Sequence, residues 1–153
     1  MLSRTRAVFA MSSVLALALV GACSDDPAGL DEIARAEVVG AYAASTFTAR
    51  SGNTTVDLLS GGALLNVTLL DDGTTTGRLF VPAALAGGTA FDESLVGTFA
   101  FDDSNNEVTF DHAANTFVKD VTFTATRNGN LVQLGAEHTV TVTTVRVVLR
   151  PTP

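Results

Sequence analysis

Apolar and polar residues alternate with a period of two along much of the chain after residue 37. Leu65, Val67 and Leu69 share one parity while Asn66 and Thr68 take the other, and Val108 and Phe110 alternate with Glu107, Thr109 and Asp111. Phe99 and Phe101 fall in phase, as do Val121 and Phe123. A strand sends successive side chains to opposite faces, so this pattern gives a sheet with one apolar face. Val, Thr, Phe and Leu dominate the stretches between closely spaced turn clusters, which is the composition of an all-β domain. The main strands are expected over 38–48, 63–71, 74–81, 95–102, 106–111, 117–126, 130–135 and 139–150, with a short extra piece at 54–58. The last of these breaks phase: Val140 and Val142 lie on one parity and Val145, Val147 and Leu149 on the other. A one-residue bulge near Thr143 or Thr144 would bring all five to one side, and such a bulge is expected.

Turn chemistry sets the topology. Asp71-Asp72-Gly73, the 102–106 stretch and Arg127-Asn128-Gly129-Asn130 are tight hairpin signals, because Gly and Asn accept positive φ. Short links join antiparallel neighbours, so the sheet should be an up-and-down meander. Following strand direction places the three tight turns at one end. The longer connections, 49–62, 82–94, 112–116 and 136–138, then fall at the other. Closing such a meander gives a small barrel shaped like a cup, with a plugged end and a looped, open end.

Before this domain, Arg4 and Arg6 precede an apolar run over 7–20, and Gly21, Ser24, Asp25 and Asp26 end it. Charged start, apolar middle and small residues at the cut are the plan of an export signal, and the run is short for a membrane-spanning helix. Leu19-Val20-Gly21-Ala22-Cys23 closes that run with the only cysteine of the sequence. This stretch resembles a bacterial lipoprotein lipobox, which implies cleavage before Cys23 and a lipidated thiol. The alternative is an ordinary signal peptide with a free thiol after the cut. By about 0.8 kcal/mol per buried methylene, one acyl chain holds weakly and two or three hold firmly. The resemblance implies a cell-envelope protein held to a membrane by its N-terminal lipid. Ser24 after the cysteine, by the same analogy, points to the outer membrane, facing the periplasm or the exterior. The expected organisation is a signal peptide at 1–22, a lipidated tether with a possible short helix at 23–36, and a β-domain at 37–151. The acids of Leu30-Asp31-Glu32 suit the start of such a helix.

Composition narrows the partners. The sequence has 153 residues, nine basic and sixteen acidic. The signal carries two arginines and no acid, so the mature part holds seven basic and sixteen acidic side chains, a formal charge of −9. A surface of that sign repels phosphate backbones, so nucleic acid is not an expected partner. Without a second cysteine there is no internal disulfide, and stability must come from packing and strand pairing.

Val39-Gly40-Ala41-Tyr42 looks like the Gly-x-Trp that opens the first strand of lipocalins, with Tyr42 where tryptophan is usual, and Val96-Gly97-Thr98-Phe99 repeats the local pattern. Together with the meander, the region resembles lipocalin-like proteins of bacterial envelopes. That resemblance implies a late arginine packed over the aromatic ring at the closed end, here Arg150 or else Arg146 over Tyr42, by a cation–π contact. The other reading of the residues is an unrelated β-sandwich in which Gly40 relieves crowding.

Chemistry is sparse. No Gly-x-Ser-x-Gly elbow, phosphate-binding loop, His-Glu-x-x-His or paired-cysteine motif is present, so an enzyme is not expected and no cofactor is implied. Asp111-His112 and Glu137-His138 fall in expected open-end loops, where His112 and His138 are weak candidates for Zn²⁺ or Cu²⁺. The 102–107 stretch resembles a calcium loop only superficially, and a solvated hairpin is the simpler reading. Asp92-Glu93 reads as a pair that keeps a connection soluble. The apolar face of Leu65, Val67, Leu79, Phe99, Phe101, Phe110, Val121 and Phe123 could line a pocket for a small hydrophobic ligand, with 82–90 at its mouth. An eight-stranded barrel is equally able to fill itself with its own side chains. Two functions therefore stand: a ligand-binding envelope lipoprotein, or a structural one with a filled core that meets another envelope protein.

Overall fold

A computed structural model describes residues 32–153. The expected signal peptide, Cys23 and most of the expected tether lie outside them. The described residues form a short helix α1 (Arg35–Val38) and then β1 (Gly40–Ser51), β2 (Thr54–Asp57), β3 (Leu64–Leu69), β4 (Thr74–Val81), β5 (Phe91–Ser94), β6 (Gly97–Asp102) and β7 (Glu107–His112). A second short helix, α2 (Phe117–Asp120), precedes β8 (Phe123–Asn128), β9 (Leu131–Val140) and β10 (Thr143–Pro151).

The strands pair antiparallel in the order β10-β9-β8-β7-β6-β4-β3-β1, and β1 pairs back to β10. Eight strands thus close into a barrel, as the meander of short links requires. β2 is an added piece beside the upper part of β1, and β5 lies against the upper part of β4. Two seams are short: β4 meets β6 at only Thr74↔Thr98 and Thr75↔Gly97, and β7 meets β8 at only Glu107↔Thr124 and Val108↔Phe123. Both lie towards the tight-turn end. The wall therefore splays at the other end, where β5 and α2 fill the gaps.

Inward residues from all around the wall form one apolar cluster, including Tyr42, Phe47, Leu65, Val67, Leu79, Val108, Phe110, Phe123, Leu134, Val147 and Leu149, each no more than 8% exposed. Phe110 and Phe123 meet edge to face at 5.3 Å, the arrangement aromatic quadrupoles favour. Between the tight turns and the upper rim the interior is occupied by side chains.

The closed end is plugged by the segment before β1, most of which falls in the expected tether with its possible short helix. Ile33 and Val38 are buried, and Tyr42 donates its Oη hydrogen to the Val38 carbonyl at 2.8 Å. The plug is pinned to three hairpins. The Ile33 N–H donates to Asn106 Oδ1 at 3.2 Å, Arg127 forks onto Glu37 at 2.8 and 2.9 Å, and the Arg35 guanidinium lies 5.2 Å from the Phe99 ring centre beside Gly73. Arg127 holds the Glu37 carboxyl below the usual carboxylate range, helped by the Ala34 N–H. Ile33 and Val38 thus belong to the barrel's apolar core.

Several sequence expectations are corrected. The cation over an aromatic ring at this end is Arg35 on Phe99, not Arg150 on Tyr42. Tyr42 stands opposite Pro151, so Arg150, one residue away, points to the outer face, as does Arg146. No bulge occurs at Thr143 or Thr144: β9 runs on to Val140 and a two-residue turn follows, with Thr141 at φ 57°. The phase break is a hairpin, hidden because no glycine marks it. The register shift falls instead in β1, between Ala44 and Thr46. Finally, 117–126 is not one strand but α2 followed by β8, and β5 forms inside an expected loop.

Candidate functional site

At the open end the segment between β7 and β8 crosses the barrel. β7 and β1 lie on opposite sides of the ring of strands, yet Phe117 of α2 meets Phe47 of β1, ring centres 5.8 Å apart. His112 sets the start of this crossing. It ends β7, is 4% exposed, and its Nδ1 lies 3.0 Å from the Ala114 carbonyl while its Nε2 lies 3.2 Å from Thr116 Oγ1. The Ala114 carbonyl can only accept, so Nδ1 donates to it, while Thr116 Oγ1 engages Nε2. Lys119 closes the turn by donating to the His112 carbonyl at 3.2 Å and pairing with Asp111 at 3.3 Å.

Beneath this crossing is an apolar pocket of about 280 Å³. Its floor is Phe47, Leu58, Leu79 and Thr116, all buried, and its partly exposed rim is Val81, Phe91, Phe117 and Val145, with Asn115 alongside. The rim is well fixed. Arg78 on β4 forks onto Asp92 of β5 at 2.7 Å through both contacts and stacks 5.2 Å from Phe80, which holds the strand carrying Phe91. Asp92 is therefore a strand clasp, and Arg78 draws its carboxyl below the usual range. On the other flank Leu58 is held by its N–H to the Phe47 carbonyl, and Asp57 folds the following turn by accepting from Leu59 and Ser60. Leu85 of the 82–90 loop packs on Gly61 there, so two top loops brace each other.

Of the residues expected to line a cavity, only Leu79 reaches this pocket. Leu65, Val67, Phe99, Phe110 and Phe123 are packed into the core, Val121 follows α2 and is buried, and Phe101 is half-buried near the closed end. Strand periodicity identified the inward face but not the height along it, and the pocket needs residues from the rim. Phe91 and Phe117 were the missed signal: each is an aromatic in a segment bounded by turn residues.

The histidines do not converge. His138 lies within β9 opposite Val145, half-buried, and not in a loop. His112 is at a strand end with both ring nitrogens engaged. Among the described residues no group of three His, Cys, Asp or Glu side chains gathers as metal ligands do. In the 102–107 stretch the Asp102 carboxylate folds the hairpin itself, accepting from the Ser104 hydroxyl at 2.6 Å, its N–H at 3.0 Å and the Asn105 amide at 2.8 Å. No protein-family model matches this chain, and no curated protein matches it either.

Proposed function

We infer that this protein is a lipid-anchored envelope barrel that holds a small apolar group in the pocket at its open end. The observation that carries the reading is the pocket of Phe47, Leu58, Leu79, Val81, Phe91, Phe117 and Val145. An apolar cavity of roughly 150 Å³ holds benzene, and drug-sized sites start near 300 Å³, so about 280 Å³ suits one aromatic ring or the end of an acyl chain. Anchoring rests on the Cys23 signal. With the plug pinned at the closed end, nine peptide steps from Cys23 reach at most about 30 Å, which favours the closed end facing the membrane and the pocket facing away. Titration of the full-length chain with N-phenyl-1-naphthylamine, a neutral apolar fluorophore, tests the reading. Binding that weakens at least about tenfold in Phe91→Asp and Val145→Phe supports it. Well-folded protein with no fluorescence response contradicts it.

A second reading has its own support. The filled interior suits a structural envelope lipoprotein that meets another protein. Crosslinking in native membranes separates the two: a recurrent protein adduct, with no ligand extractable from the purified barrel, favours the second.

A further inference from the structure

The outer wall above the barrel carries a groove of about 520 Å³ whose chemistry differs from the apolar pocket. It lies where β2, β1, β10 and β9 continue past the barrel body as a four-stranded flap. Register puts its polar residues in two cross-strand rows: Thr55, Arg50 and Thr144 in one, Thr48, Arg146 and Glu137 in the next. Arg50 and Arg146 are diagonal neighbours in this array, about 7–8 Å apart at the backbone.

Two loosely held cations of the described residues, Arg50 and Arg146, meet in this groove. Arg78, Lys119 and Arg127 are closed into ion pairs, and Arg35 lies over Phe99. Arg50 bonds through Nε to the Gly52 carbonyl at 3.2 Å, which aims the guanidinium, while its terminal nitrogens carry no hydrogen bond among the described residues. Arg146 is ion-paired with Glu137 at 3.7 Å, longer than a hydrogen bond, which leaves its donors available to a second acceptor. The Thr48 and Thr55 hydroxyls make no hydrogen bond among the described residues, while Thr144 meets Thr139 at 2.9 Å. Two guanidinium groups and two threonine hydroxyls thus share one concave face of a strongly acidic chain.

We propose that this groove binds a small hydroxylated molecule through a phosphate or carboxylate group. Planar guanidinium forks match the paired oxygens of either anion. The groove is far larger than the anion alone, so the anion is borne on a body. The threonine hydroxyls and the Glu137 carboxylate suit hydroxyl groups on that body, and Val142 at the edge offers it an apolar face.

The test is calorimetric titration of the full-length chain at low salt with glucose 6-phosphate, glucuronate and neutral glucose, each to about 10 mM, a range that detects millimolar affinity. The expected result is saturable binding of the two anions and not of glucose, weakened by added salt. Arg50→Gln and Arg146→Gln should each lower affinity about tenfold, while Arg150→Gln, an outward arginine elsewhere on the wall, leaves it unchanged. All three side chains are outward, so the variants keep the fold, which a thermal melt checks. Absence of heat with both anions overturns the proposal, as does equal loss in Arg150→Gln. Capture by phosphatidylglycerol vesicles without a response to the soluble anions also overturns it, since the acceptor would then be a lipid headgroup.

Discussion

Two glycines that look alike in sequence do different work. Gly40 sits at φ +149° with open space where a Cβ would stand, so its role is backbone conformation at the entry to β1. At Gly97 a Cβ would meet the Asp111 carbonyl oxygen and the backbone of His112, so its role is close approach of β6 to β7. Gly97→Ala should therefore cost about 1–3 kcal/mol as overpacking, read as a lower urea midpoint at unchanged slope; an unchanged midpoint would mean the seam has slack. Tyr42 gives a pH signature. Burial pushes its hydroxyl up to about 12, against about 10 in an unfolded chain. The folded form holds the proton more tightly, so this contribution is full below about pH 10 and is lost as pH rises towards about 12. Tyr42→Phe should remove that alkaline fall in stability, and an identical alkaline limb in both proteins would refute the assignment.

Among the elements, the plug before β1 is the one whose importance the sequence concealed. Ile33 buries its whole side chain, so Ile33→Ala should destabilise the barrel by about 2–5 kcal/mol in chemical unfolding. A loss within error would show that the plug is not part of the cooperative unit. The Glu37 carboxyl is held below its ordinary range by Arg127, so its contribution is present above that range and lost as pH falls through the folded value. Glu37→Gln should flatten the acid limb of the stability profile below about pH 4. Residues 32–38 carry only two large aliphatic anchors among charged residues and alanines, which reads as tether until the cavity they fill is known. The strands were legible where alternation was clean, as at Leu65, Val67 and Leu69. They were misread where a turn lacked glycine, at Thr141, and where Phe117, Val118 and Val121 made α2 look like strand. The same limit applied to the site: inward parity singled out Leu79, but Phe47 and Val145 meet through closure of β1 on β10, and Phe91 and Phe117 join them through β5 on β4 and the crossing of α2.

For the molecule as a whole, closure leaves both ends occupied, the lower by 33–38 and the upper by α2, with the apolar pocket as the space between α2 and the rim. If the lipid sits on Cys23, a fluorophore at position 105 in the lower hairpin should be quenched by bilayer-bound quencher, and one at position 142 should not. Equal quenching would refute the upright orientation. An apolar ligand would enter at the rim of a barrel whose body is already full, and side-chain NMR during titration with a short fatty acid shows where it binds. Shifts are expected at Phe47, Phe91, Phe117 and Val145 with Phe110 and Phe123 unmoved; shifts centred on Phe110 and Phe123, or none at any of these residues, would mean that the ligand does not sit at the rim.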